Sequence, residues 1–163
     1  MNVKTVLIKI GFLGFIAVFC GCQRPLCPHG AELAKTGQLR EAVDVYLQCR
    51  GVEKNSKRRS ELNDRIKALT PKIVNPVLDR WNKEPPTTVS QYNRAISDLQ
   101  DIRPYDEAVV PRGVAQKMAK YETELQKLKE NVREWCRAAV EHKDKHEWKQ
   151  AAESIDKALA GDP

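Results

Sequence analysis

A run of apolar residues in the second half of the chain follows a heptad rule, and this rule restricts the fold more than any other feature. The residues recur at alternating spacings of four and three: Val114, Met118, Tyr121, Leu125, Leu128, Val132, Trp135 and Ala139. The pattern predicts one helix of about 30 residues, opened by Pro111 and about 45 Å long. This line of apolar residues, which we call the seam, must be buried either against the protein's own central helices or against a second chain.

The remaining sequence also shows helical spacing, and alternation typical of strands persists nowhere. Pro28 suits the first turn of a helix that ends at Gly37, and "LREAVDVYLQ" predicts a second helix. In the middle, we expect a third helix from Leu62 that ends near Pro71, and a short fourth helix over residues 74–81. The break "KEPPTT" precedes a fifth helix, which "IRPYDE" ends. These patterns predict an all-α fold.

The N-terminus is typical of an export signal. It begins with "MNVKTVLIKI", which carries Lys4 and Lys9 and no acid, and it continues with the uncharged run "IGFLGFIAVF". A basic start followed by a short apolar run is the pattern of a cleaved signal peptide. The run is too short for a transmembrane helix, which needs about 20 residues.

This signal ends in "VFCGC", which resembles the lipobox of bacterial lipoproteins. The resemblance implies that residues 1–21 are removed as a lipoprotein signal peptide and that Cys22 carries lipid. It further implies a chain tethered to the cell envelope, facing the periplasm, with Gln23 favouring the outer membrane over the inner one. Removing 21 of the 163 residues would leave 142, enough for one domain, and would lower the formal net charge from +6 to +4.

Residues 50–80 form a basic region, with nine basic and four acidic side chains. An exported, tethered protein rarely meets nucleic acid, so we expect no nucleic-acid partner. The region predicts either contact with anionic lipid head groups or an acidic partner, or simply a solvated helix face.

The last 29 residues, "WCRAAVEHKDKHEWKQAAESIDKALAGDP", resemble one tetratricopeptide repeat. The residues at the packing positions of that repeat are Trp135, Ala139, Ala151, Ile155 and Ala158. The resemblance implies two antiparallel helices that approach closely where Ala139 meets Ala151. It also implies an apolar outer face that the middle helices, a second copy or a partner must cover.

Residues 26–54 resemble the same unit, with Gly30 and Ala42 as the close pair and Tyr46 in the second helix. Ala42 and Ala151 are 109 residues apart, which does not fit regular 34-residue steps. We therefore expect repeat-like hairpins at both ends of one irregular α-helical domain, residues 22–163. Its middle is a degenerate helical part over residues 57–110, and residues 111–163 hold the long helix and the last hairpin.

Superposing the two repeat-like units places Cys27 beside Cys49 and makes them a candidate disulfide; the alternative is two small buried residues. His142 and His146 are four apart on one helix, but no third ligand and no HExxH motif accompany them, so we predict no metal and no other cofactor. The sequence has no glycine-rich phosphate loop and no G-x-S-x-G motif, which argues against an enzyme.

The sequence therefore favours a lipid-anchored, non-enzymatic protein–protein interaction module, an adaptor or assembly factor of the bacterial cell envelope. Its partners would be the membrane, through the lipid, and an envelope protein or peptide. Trp81, Tyr92 and Trp148 are candidate contact residues, although core packing explains each equally well. The alternative is a structural lipoprotein that forms a homodimer through residues 114–139 and acts as a spacer.

Overall fold

The computed structural model describes residues 26–108, 111 and 113–162, and within these residues the chain is all-helical, with no β-strand. This confirms the predicted all-α class. The helices are α1 (Pro28–Lys35), α2 (Leu39–Val52), α3 (Ser56–Lys83), α4 (Val89–Glu107), α5 (Val114–Asp144) and α6 (Trp148–Gly161).

Helices pack in chain order. The main contacts in the described part join each helix to the next one, from α1 with α2 to α5 with α6. One apolar core runs from Leu26 to Tyr121 and is built from α1 to α4 and the first turns of α5. Beyond it, the second half of α5 and the whole of α6 form an antiparallel hairpin that extends from this core.

Helix α3 corrects the sequence prediction for the middle of the chain. The predicted stop at Pro71 does not occur, because one helix of 28 residues runs through both Pro71 and Pro76. Each proline removes a backbone hydrogen bond, at a cost of about 3 kcal/mol. The helix persists because it buries a long apolar stripe, and packing of that stripe outweighs the local cost. The buried apolar residues of α3 are Leu62, Ile66, Ile73, Val74 and Trp81.

Of two further helix boundaries, the first agrees with the prediction and the second differs from it. Helix α4 passes through Pro104 and ends at Glu107, the last residue of "IRPYDE". Helix α5 begins at Val114, after Gly113 in the left-handed conformation, so Pro111 precedes the helix without opening it. Gly113 offers no side chain to cap α5. The carboxylate of Asp106 from α4 accepts a 3.1 Å hydrogen bond from the Val114 amide instead.

Candidate interaction groove

Small residues bring α5 and α6 close together. Helix α6 buries one face at spacings of three and four, and the residues on it are Ala151, Ser154, Ala158 and Gly161. Gly161 shows how close the approach is, because a Cβ there would lie 2.9 Å from Val132 Cγ2 and 3.2 Å from Leu128 Cδ1. Because these side chains are small, the two helices lie in direct contact, and this contact fixes the distance between them.

A short turn joins the two helices at residues 145–147. His142 Nδ1 and Glu147 Oε2 are 2.6 Å apart and connect the end of α5 to the residue before α6. His146 has a φ of 61°, and its ring lies 5.8 Å from that of Trp148. These contacts set the position at which α6 starts and hold Trp148 beside the turn.

Beside the buried seam, the hairpin carries an open apolar groove of about 420 Å³. We call it the α5/α6 groove. Its walls come from both helices: Cys136, Ala139, Val140 and Lys143 from α5, and Trp148, Ala151, Ala152 and Ile155 from α6. The large apolar side chains along this side are accessible to solvent, with 57% of Val140, 62% of Trp148, 49% of Ile155 and 55% of Leu159 exposed.

The groove is suited to binding an apolar surface and not to polar chemistry. Lys143 is the one charged residue among those that line it in the described part of the chain. Contiguous exposed apolar side chains of this kind mark contact sites, because covering them recovers about 25 cal/mol for each Å² removed from water. A groove between two helices accepts a third helix most readily.

The predicted packing residues of the C-terminal unit divide into two groups. Ala139, Ala151 and Ala158 are buried in the hairpin, and Trp135 is half-buried beside Gly161. Ile155 differs, because it lies half-exposed on the wall of the groove. Ser154, which the sequence reasoning did not single out, takes the buried position in α6.

The N-terminal hairpin of α1 and α2 buries Gly30, Ala42 and Tyr46. The side chain nearest to Gly30 is that of Tyr46, since a Cβ on Gly30 would lie 2.8 Å from Tyr46 Cε1. Cys27 and Cys49 are joined by a disulfide, with their Cα atoms 6.2 Å apart. Cys136 is a free, exposed cysteine.

The heptad seam of α5 packs within its own chain. Its first half meets α4 and the core, where Val114, Tyr121 and Leu125 are buried. Its second half meets α6, where Leu128, Val132 and Trp135 surround Gly161. The seam therefore has partners inside the protein, and little of it remains for a second chain.

Two of the candidate contact residues pack with the core, Trp81 as a buried side chain and Tyr92 as a partly buried one. Trp81 is buried, and its indole N–H donates to Asp98 Oδ2 at 3.0 Å. Tyr92 packs edge-on against Tyr121, at 5.8 Å between ring centroids, and its hydroxyl donates to Glu124. Burial, reinforced by the nearby Glu124 carboxylate, raises the pKa of both tyrosines. Trp148 alone of the three lies on the accessible surface, in the groove.

The sequence reasoning missed the groove as a site, although its signal is present. Trp148, Ala152, Ile155 and Leu159 follow the same spacing of four and three as the seam of α5. This second stripe lies one position after the buried stripe of α6, so the helix is apolar on two adjacent faces. Only one of these faces is needed for the contact with α5.

Several predictions fall outside the described residues, namely the signal peptide over residues 1–21 and the lipid site Cys22. None of the described helices is long and apolar enough to cross a bilayer. Across residues 26–108, 111 and 113–162, no group of three or more histidine, cysteine, aspartate or glutamate side chains is arranged to hold a metal ion.

No protein-family model, no curated protein and no solved structure matched the chain.

Proposed function

We propose that the protein is a lipid-anchored, non-enzymatic interaction module of the bacterial cell envelope and that the α5/α6 groove is its contact surface. The groove is the observation that carries this proposal. It is apolar and open, and both helices of one hairpin line it. These properties match a surface that receives an amphipathic helix of another polypeptide.

The sequence of the first 22 residues supports the lipid anchor. The segment "VFCGC" ends at Cys22, and Leu26, four residues later, is already buried in the core. The Leu26 carbonyl accepts a 2.9 Å hydrogen bond from Arg65 Nη1 in α3. Four residues span at most about 14 Å, so a lipid on Cys22 would hold α1 and α3 close to the periplasmic surface of a membrane, by our proposal the outer one.

Packing in chain order supports the part of the proposal that concerns helical repeats. A repeat array stacks each unit on its neighbours, and small residues permit the close approach within each unit. Gly30 against Tyr46 in the first hairpin and Gly161 against Val132 in the last follow this logic, and Ala139 and Ala151 are buried in the last hairpin. We therefore propose that α1–α2 and α5–α6 act as tetratricopeptide-like hairpins, joined by the irregular helices α3 and α4.

The seam of α5 was the basis of the alternative function, a spacer that dimerises through residues 114–139. Since α4 and α6 already cover that seam, no observation favours the spacer function over the groove.

Two measurements in the native host test the proposal. The first is metabolic labelling with a clickable fatty acid. We expect the parent chain to be labelled and to sediment with membranes, and the Cys22→Ala variant to remain unlabelled. An unlabelled parent chain would overturn the lipid anchor.

The second measurement places a photo-crosslinking amino acid at Ala152, on the wall of the groove, or at Lys157, on the exposed opposite side of α6. We expect a discrete protein cross-link from Ala152 and none from Lys157. Equal yields from the two positions, or no cross-link at either, would overturn the groove as a contact surface.

A further inference from the structure

Helix α6 presents an exposed apolar stripe that forms one wall of the groove and continues past it to Leu159, and the stripe fits the groove of another molecule of the same protein. The stripe consists of Trp148, Ala152, Ile155 and Leu159. We propose that the α5/α6 groove holds helix α6 of a second copy of this chain, in an antiparallel arrangement around a twofold axis. This inference rests on the proposed role of the groove as a contact surface and names the occupant.

Side-chain sizes along α6 are complementary in this arrangement. With the axis between residues 153 and 154, Trp148 of one copy lies level with Leu159 of the other. Ala152 likewise lies level with Ile155 of the second copy. Each layer then joins a larger side chain to a smaller one, which is how facing positions of two helices fill space without voids.

Charges beside the stripe are complementary in the same register. Lys149 and Asp156 flank it on one side, and both are exposed. Neither makes an ion pair within the described part of the chain. Antiparallel pairing brings Lys149 of each copy next to Asp156 of the other, which gives two ion pairs. Parallel twofold pairing would place Lys149 and Asp156 of the two copies on opposite sides of the contact, where these ion pairs cannot form, so the charges favour the antiparallel direction.

A second copy also covers both the stripe and the groove of each molecule. In a twofold contact the same patch is used on each molecule. The stripe of one α6 enters the groove of the other, and its own groove is filled in return. Cys136, which lines the groove, becomes covered by the second molecule. A single foreign helix would fill the groove of one molecule without this reciprocity.

Disulfide trapping of the full chain in intact host cells tests the arrangement. In a Cys136→Ser background, Ala152→Cys places a thiol near the twofold axis, and Lys157→Cys places one on the opposite side of α6. We expect Ala152→Cys to give a species of twice the chain mass that a reductant abolishes. Lys157→Cys serves as the matched control and should give none. Absence of this species for Ala152→Cys would overturn the proposal.

Charge exchange then tests the register. Adding Lys149→Asp to Ala152→Cys converts two attractions into two repulsions, and we expect the cross-linked fraction to fall about ten-fold. Adding Asp156→Lys as well should restore it, and failure to restore it would overturn the antiparallel register.

Photo-crosslinking from Ala152 distinguishes this inference from the proposed function. Capture of only a different protein would overturn the second copy as occupant and leave the groove as a contact surface. Capture of no protein would overturn both.

Discussion

At Gly30, the absence of a side chain lets α1 lie directly against the ring of Tyr46 in α2. A Cβ would sit 2.8 Å from Cε1 and 2.9 Å from Cδ1 of that ring. Both residues are buried, and Arg65 lies over the same ring, with its guanidinium carbon 5.7 Å from the centroid. The ring therefore has neighbours on more than one side and little freedom to move away from an added methyl group.

Replacing Gly30 with alanine is expected to lower the free energy of unfolding by about 1–3 kcal/mol, because the new Cβ overlaps the Tyr46 ring. Chemical denaturation measures the change. Gly51 is the matched control, since it also lies in a helix and a Cβ there meets nothing within 4 Å. Gly51→Ala should be neutral or stabilising by up to about 1 kcal/mol. Equal effects of the two substitutions would contradict the overlap.

The Cys27–Cys49 disulfide closes a loop with a sequence separation of 22 residues. In the chain-entropy model, opening such a loop costs about 3 kcal/mol of stability. We therefore expect reduction to shift the denaturation midpoint downwards and the intact mass to increase by two hydrogens. Cys136→Ser should leave both the shift of the midpoint and the mass increase unchanged, because Cys136 is not part of the disulfide. An unchanged mass on reduction would contradict the disulfide.

Helix boundaries were predictable where a local signal decides them and not where tertiary packing does. The 31 residues of α5 agree with the heptad pattern, because one apolar stripe specifies the whole helix. By contrast, Pro71, Pro76 and Pro104 are local stop signals that the structure overrides. Sequence alone shows the cost of each proline but not the partner helices whose burial offsets it.

The start of α5 depends on a residue from another helix, which local sequence cannot reveal. Asp106 of α4 is buried and accepts the Val114 amide hydrogen bond, and its negative charge faces the positive end of the α5 dipole. Asp106→Ala should lower stability by about 1–3 kcal/mol, since it leaves a buried amide without that acceptor.

Asp106→Asn keeps an acceptor oxygen and should lose less stability than Asp106→Ala. The exposed Asp101 on the same helix is the matched control, and Asp101→Ala should change stability by less than about 0.5 kcal/mol. Thermal unfolding followed by circular dichroism ranks the stabilities of these variants. Similar losses for Asp106→Ala and Asp101→Ala would contradict the role of Asp106.

At the scale of the whole molecule, the fold class followed from helical periodicity, whereas the groove did not. Periodicity identifies which residues of a helix are apolar, but it does not assign each apolar face to a neighbour. In α6, Ile155 was predicted as a packing residue and lies instead on the accessible side, while Ser154 is buried. The close approach of Gly161 to α5 decides which of the two apolar faces of α6 is buried. The linear pattern does not encode this contact.

A lysine placed either in the buried seam of α5 or on the wall of the groove separates the buried apolar stripe from the accessible one. Leu125→Lys puts a charge into a buried position and should lower stability by more than about 3 kcal/mol, or prevent folding. Ile155→Lys lies on the open side and should change the stability of the monomer by less than about 0.5 kcal/mol. Unfolding measured at low protein concentration tests both variants, and equal losses would contradict the assignment of the faces.

Packing in chain order has a consequence for how the molecule is made. Because the main contacts join helices that are consecutive in sequence, each new helix finds its docking partner already synthesised. Topologies dominated by such near-neighbour contacts fold rapidly, since little loop-closure entropy precedes each contact. A chain that emerges N-terminus first can thus acquire its structure progressively, with α1 and α2 packed together before α6 follows.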